Sequence, residues 1–143
     1  MNKFWKNLIG WVLYIGLLIG LIFGIPKGLS YFLKTEHPMA SITSGSMWPS
    51  LKRGDLILIK GVNSKEEIKL DDIIVFKNPK GLTIHRIIEI NENTVVTKGD
   101  ANNVKDAPVE YEEIIGKALT INNKPFRIPL LGMIGVYINK PKL

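Results

Sequence analysis

The sequence predicts an all-β domain carried on one N-terminal transmembrane helix. Three features lead there. An uncharged apolar run extends from Leu8 to Ile25; beyond Lys34 the hydrophobic residues fall into short blocks divided by turn residues; and the longest block alternates between two faces. At 143 residues the chain has room for one domain with its own core plus one appended segment.

The apolar run predicts a helix. Eighteen residues at ~1.5 Å each give roughly 27 Å, enough to cross a hydrocarbon core with little tilt. Lys3 and Lys6 precede the run, and Ile25-Pro26-Lys27-Gly28 follows it without an Ala-x-Ala cleavage site. This favours an uncleaved anchor over a removed signal. Lys3, Lys6 and the amino terminus weigh against Lys27 and Lys34 on the far side, which modestly favours an N-terminus on the cytoplasmic side. Trp5, Trp11 and Tyr31 stand where interfacial aromatics are expected. Gly16, Gly20 and Gly24 share one helix face and would permit close approach of a second helix, although glycine is also common in membrane helices for no such reason. The expected division is an anchor over residues 1–27, a juxtamembrane linker over 28–38 and a β-rich domain over 39–143.

The strands follow in order. Met39 to Thr43 is short and extended, and Leu56-Ile57-Leu58-Ile59 lies between Gly54-Asp55 and Lys60-Gly61. Ser64 to Leu70 can form a helical turn. Ile73-Ile74-Val75-Phe76 runs into Asn78-Pro79-Lys80-Gly81, a hairpin connection. From Leu82 to Ile90, Leu82, Ile84, Ile88 and Ile90 share one face, and Thr83, His85, Ile87 and Glu89 the other. Thr94-Val95-Val96-Thr97 precedes Gly99-Asp100, and further β-rich pieces are expected over Ile114 to Ile121 and Phe126 to Ile138. Closely spaced strands of this kind argue for a sandwich or barrel-like domain.

Composition excludes several chemistries. With no cysteine there is no disulfide, no thiolate nucleophile and no cysteine metal site. His37 and His85 are too few for a histidine-rich metal cluster. The net charge of +6 comes from scattered lysines not interleaved with aromatics, so anionic lipid headgroups are a more natural partner than nucleic acid.

Reactive groups concentrate in three places. In Ser44-Gly45-Ser46-Met47-Trp48-Pro49, a serine just past a strand in a glycine turn has its hydroxyl open to attack a carbonyl. A serine needs a base to take its proton, and His85 is the one histidine inside the β-domain. The polar loop Lys98 to Asp106 supplies Asp100 and Asp106, either able to orient an imidazole. That loop lacks the ligand pattern and closing glutamate of an EF-hand. Taken singly, each piece is an ordinary turn, strand histidine or polar loop.

Their order and spacing resemble type I signal peptidases. The boxes are Ser44 to Pro49, Asp72 to Pro79, Ile84-His85-Arg86-Ile87, and Gly99-Asp100-Ala101-Asn102 with Asp106. The resemblance is to the endoplasmic-reticulum type, found also in archaea and spore-forming bacteria, with histidine where the bacterial branch places a catalytic lysine. It covers the chain from the anchor to about Ile138. It implies the β fold shared by signal peptidases and self-cleaving repressors, and a membrane-anchored serine endopeptidase removing signal peptides from exported preproteins.

Carried over by position, Ser46 is the implied nucleophile, His85 the general base and Asp106 the orienting acid, with Asp100 a second acidic position. The sequence alone does not decide which aspartate touches His85. Ser44 and the Ser46 amide are candidate oxyanion donors. Ile42 and Met47 are candidate substrate-binding residues, with the substrate added as a strand beside Met39 to Thr43. Ala-x-Ala specificity is likewise implied by the family, and neither metal nor cofactor is required. Activity is expected to fall as the base protonates, near ~6.5 for an unperturbed imidazole. Asp71 departs from the glycine common before Asp72, and no second C-terminal span is seen, so a single anchor is expected. The competing reading is a membrane-tethered, non-catalytic β-domain binding extended peptides or a partner protein. Arg53-Gly54-Asp55 spells an adhesion tripeptide but falls where a turn belongs, and self-cleaving repressors use lysine and lack an anchor.

Overall fold

Helix α1 (Lys3–Leu33) opens the structure, a computed structural model that describes residues 2–79 and 81–138. From Leu8 to Ile25 the helix carries no charged residue, and none of its residues is buried against the rest of the chain. Such a surface suits an apolar surrounding. The helix continues through Pro26 and ends where Lys34 adopts a left-handed conformation, its N–H donating to the Ser30 carbonyl. Residues 34–38 then lead into the first strand. Gly61 holds the junction close, because a Cβ there would collide with the Lys34 carbonyl.

The strands are β1 (Met39–Ser41), β2 (Leu56–Gly61), β3 (Ile73–Asn78), β4 (Gly81–Ile90), β5 (Thr94–Lys98), β6 (Val109–Glu110), β7 (Ile114–Ala118), β8 (Thr120–Ile121), β9 (Lys124–Pro125) and β10 (Arg127–Ile128). The main sheet has the order β1-β2-β7-β3-β4-β5-β6, with β10 also on β2 and every pairing antiparallel. A small β8-β9 ribbon stands apart. The uninterrupted apolar run of β3 reflects burial on both faces. Ile73 and Val75 join Ile42, Met47, Leu51, Ile57 and Ile59 in one core, while Ile74 and Phe76 join Ile68, Ile87, Val95 and Val109 in another.

The helical turn expected after Ser64 is a 3-10 turn over Lys65–Glu67. The β3-β4 hairpin closes with Asn78 opposite Gly81, and Lys80 of the expected connection lies outside the described residues. The final segment differs from expectation. Only Arg127–Ile128 of the expected β-rich stretch Phe126 to Ile138 is strand, and Met133–Ile138 is helix α2. Met133 and Val136 lie one helical turn apart, and Val136 is buried. Two glycines permit the packing: a Cβ at Gly132 would strike the Asp55 backbone, and one at Gly135 the Ser41 side chain.

Candidate active site

The turn after β1 carries Ser46, and tertiary structure holds it from two sides. On its own side, Met47 and Leu51 are buried in the first core and anchor the segment. From the other side, Ala101 donates its N–H to the Ser46 carbonyl at 2.8 Å. Gly99 lies so near that carbonyl that a Cβ would stand 2.7 Å from it. The loop after β5 thus grips the backbone of Ser46 itself.

His85 sits in β4 opposite Ile74, 8% exposed, its ring edge-on to Phe76. Its Nε2 is 3.2 Å from Ser46 Oγ and its Nδ1 is 2.6 Å from Asp106 Oδ2. An ionised carboxylate only accepts, so the Nδ1 contact requires the proton on Nδ1. Nε2 is then free to accept from the Ser46 hydroxyl. Ser44 Oγ lies 3.0 Å from Ser46 Oγ, and the Ser46 N–H reaches Ser44 Oγ at 3.5 Å. A hydroxyl, an imidazole and a carboxylate therefore stand in one hydrogen-bonded line, the arrangement that lets a serine lose its proton as it attacks.

A groove of about 650 Å³ opens at Ser46. Met39 to Ser44 form one wall and Leu82 to His85 the other, with Met47 and Val75 also lining it. Both walls present strand edges. β1 ends the sheet, and β4 pairs with β5 only from Arg86 onward. Ile42 and Met47 line this groove as well as the core. His37 is exposed between α1 and β1.

Residues 8–133 match the model of the family described as signal peptidase, peptidase S26. The chain belongs to that family. Among its relatives is the human signal peptidase complex catalytic subunit SEC11C, 30% identical over 166 aligned positions, covering 96% of this chain and 84% of that protein. The catalytic subunit sec11 of Dictyostelium discoideum is 32% identical, covering 90% of this chain and 75% of its own. That of Sclerotinia sclerotiorum is 31% identical, with coverages of 90% and 80%.

In this signal peptidase family member Asp100 does not share the place of Asp106. Its carboxylate takes two 2.8 Å bonds from Arg86, whose guanidinium also donates to Ser50 Oγ at 3.1 Å and to the Asp71 carbonyl at 2.9 Å. Burial works against the Asp100 charge, yet bonds from Arg86 and Ser50 and the charge of Arg86 hold its carboxyl below the usual range. Arg86 is in turn held further toward its charged form, chiefly by the bond to Asp100. Asp71 adopts φ 70°, a left-handed conformation that glycine reaches freely and aspartate tolerates.

The sequence by itself gives no part to Arg86, Ser50 or Thr97. Arg86 could have drawn attention as the cation next to the histidine with a carboxylate in the following loop. Thr97 carries no such signal: inside Thr94 to Thr97 it reads as a strand threonine.

Proposed function

We propose that Ser46 is the nucleophile, His85 the general base and Asp106 the acid that orients it, in a type I signal peptidase that cleaves signal peptides from exported preproteins. The observation that carries this reading is the continuous path from Ser46 Oγ through His85 to Asp106, 3.2 Å and 2.6 Å long at its two links. His85 takes the Ser46 proton as the oxygen attacks the scissile carbonyl, and the imidazolium forms beside the Asp106 carboxylate. His85 then returns the proton to the leaving amine, and water hydrolyses the acyl-enzyme by the same route. Ser44 Oγ, next to the attacking oxygen, and the Ser46 amide are the donors we assign to the developing oxyanion.

The substrate lies extended between the two strand edges, beside Met39 to Thr43, with Ile42 and Met47 meeting its side chains. Small residues next to the scissile bond suit this groove, as the family resemblance implies. Helix α1 is long and apolar enough to cross a bilayer and fits association with a membrane. We further assign residues 1–27 to the anchor, 28–38 to the juxtamembrane segment and 39–143 to the peptidase domain. The N-terminus is assigned to the cytoplasmic side of the cell membrane and the peptidase domain to the far side. Gly16, Gly20 and Gly24 offer a face for a second helix; a Cβ at any of them would meet nothing within 4 Å. Gly20→Leu should then weaken self-association in a membrane reporter assay, and an unchanged signal removes that idea.

Purified protein in detergent is expected to cut a labelled preprotein to its mature form. Ser46→Ala should lower the rate by about 10⁴-fold or more while its thermal unfolding stays close to wild type. Retained cleavage in that variant rejects the assignment, whereas binding without cleavage by the wild type would indicate a peptide-binding module.

A further inference from the structure

We propose that Thr97 is a positioning residue for the catalytic relay, holding the Asp106 carboxylate in the plane that His85 needs; this rests on the triad reading above. Thr97 is fully buried, and its hydroxyl donates to Asp106 Oδ2 at 2.6 Å. That is the same oxygen that His85 Nδ1 contacts at 2.6 Å. The backbone returns the contact, since the Asp106 N–H donates to the Thr97 carbonyl at 2.8 Å. Thr97 and Asp106 therefore close a two-point ring, one bond fixing where the aspartate backbone stands and the other the rotation of its side chain.

Strand register explains why the group sits there. Thr97 pairs with Ile87, two residues along β4 from His85, so Thr97 and His85 present side chains to one face. A carboxylate on a loop would otherwise rotate among several positions and offer either oxygen. With the threonine proton on Oδ2, that oxygen stays aimed at Nδ1 and the imidazole keeps the tautomer that leaves Nε2 free for Ser46. Asp106 is itself only partly buried, so packing alone leaves its carboxylate room to turn and the Thr97 bond confines it.

The test uses the full chain in detergent with a preprotein substrate. Thr97→Val keeps the shape and removes the hydroxyl. It should lower kcat by about 10–100-fold with KM within about twofold, because substrate contacts are untouched. Thr97→Ser should recover most of the rate. The chain has two histidines, so the His85 Nδ1–H resonance is assignable by NMR; it should shift in Thr97→Val and return in Thr97→Ser. An unchanged kcat, an unmoved resonance, or a serine variant as slow as valine overturns the proposal. Where valine does not fold, Thr97→Ala is read by the same criteria. Ser46→Ala and His85→Ala run alongside: if they are inactive while Thr97→Val is normal, only the role of Thr97 falls. Activity in Ser46→Ala would instead remove the triad beneath it.

Discussion

Asp100 and Asp106 stand six positions apart on one loop, and their surroundings give them different work. Asp106 faces an imidazole and a hydroxyl, whereas Asp100 faces a guanidinium. The Arg86 fork joins Asp100 to Ser50 and Asp71, so it ties the loop after β5 to the segment that follows Ser46. Asp100→Asn should therefore destabilise the domain by about 1–3 kcal/mol in urea unfolding, since Arg86 loses its counter-charge while partly buried. The pH dependence has a defined sign. A carboxyl held below its usual range stabilises the fold at every pH above the unfolded value, about 4, and that contribution fades as pH drops through the folded value. The gap between wild type and Asp100→Asn should be constant from about pH 5 to 8 and shrink below about pH 4. A gap that persists unchanged at pH 3 would contradict this assignment.

Two loops and one strand make the site. β4 pairs with β3 from Gly81 to Arg86, a stretch that includes His85 opposite Ile74, so His85 has a fixed base. The Ser46 turn is held by the core below and by the loop after β5 above. Gly99 is the tightest point, where a Cβ would overlap both the Ser46 carbonyl and the Asn102 side chain. Gly99→Ala should displace the serine and cut kcat by about 100-fold, a size typical of an ångström-scale misplacement, with a smaller change in unfolding temperature. A rate within twofold of wild type would show that the loop yields without moving Ser46. Leu51 is fully buried beneath the same turn. Leu51→Ala should cost about 2–5 kcal/mol in chemical unfolding, lowering the folded fraction more than the rate per folded molecule.

At the scale of the whole molecule, the site is tethered. Helix α1 ends at Leu33, Lys34 packs on Gly61, and β1 starts at Met39, leaving little slack between helix and groove. With α1 in a bilayer, as proposed above, that short connection would keep cleavage close to the membrane surface. The protein should remain in the membrane pellet after an alkaline carbonate wash. A tag at the N-terminus should be protected from externally added protease in spheroplasts while the peptidase domain is not. The reverse pattern would invert the proposed orientation.

Much of this architecture could be read from residues in a row. The helix is legible because charge is missing over Leu8 to Ile25, and β2 to β5 because apolar blocks alternate with turns. The boxes that hold Ser46, His85 and Asp106 are legible as a family resemblance, since residue type and spacing survive in a one-dimensional string. The helix over Met133–Ile138 was not legible, because Gly132 and Gly135 owe their place to Asp55 and Ser41 far upstream. Nor could any local pattern separate Asp100 from Asp106, or single out Thr97. Whether a carboxylate meets an arginine or an imidazole depends on strand register and on which loop folds across it, and those contacts exist only once the sheet has closed.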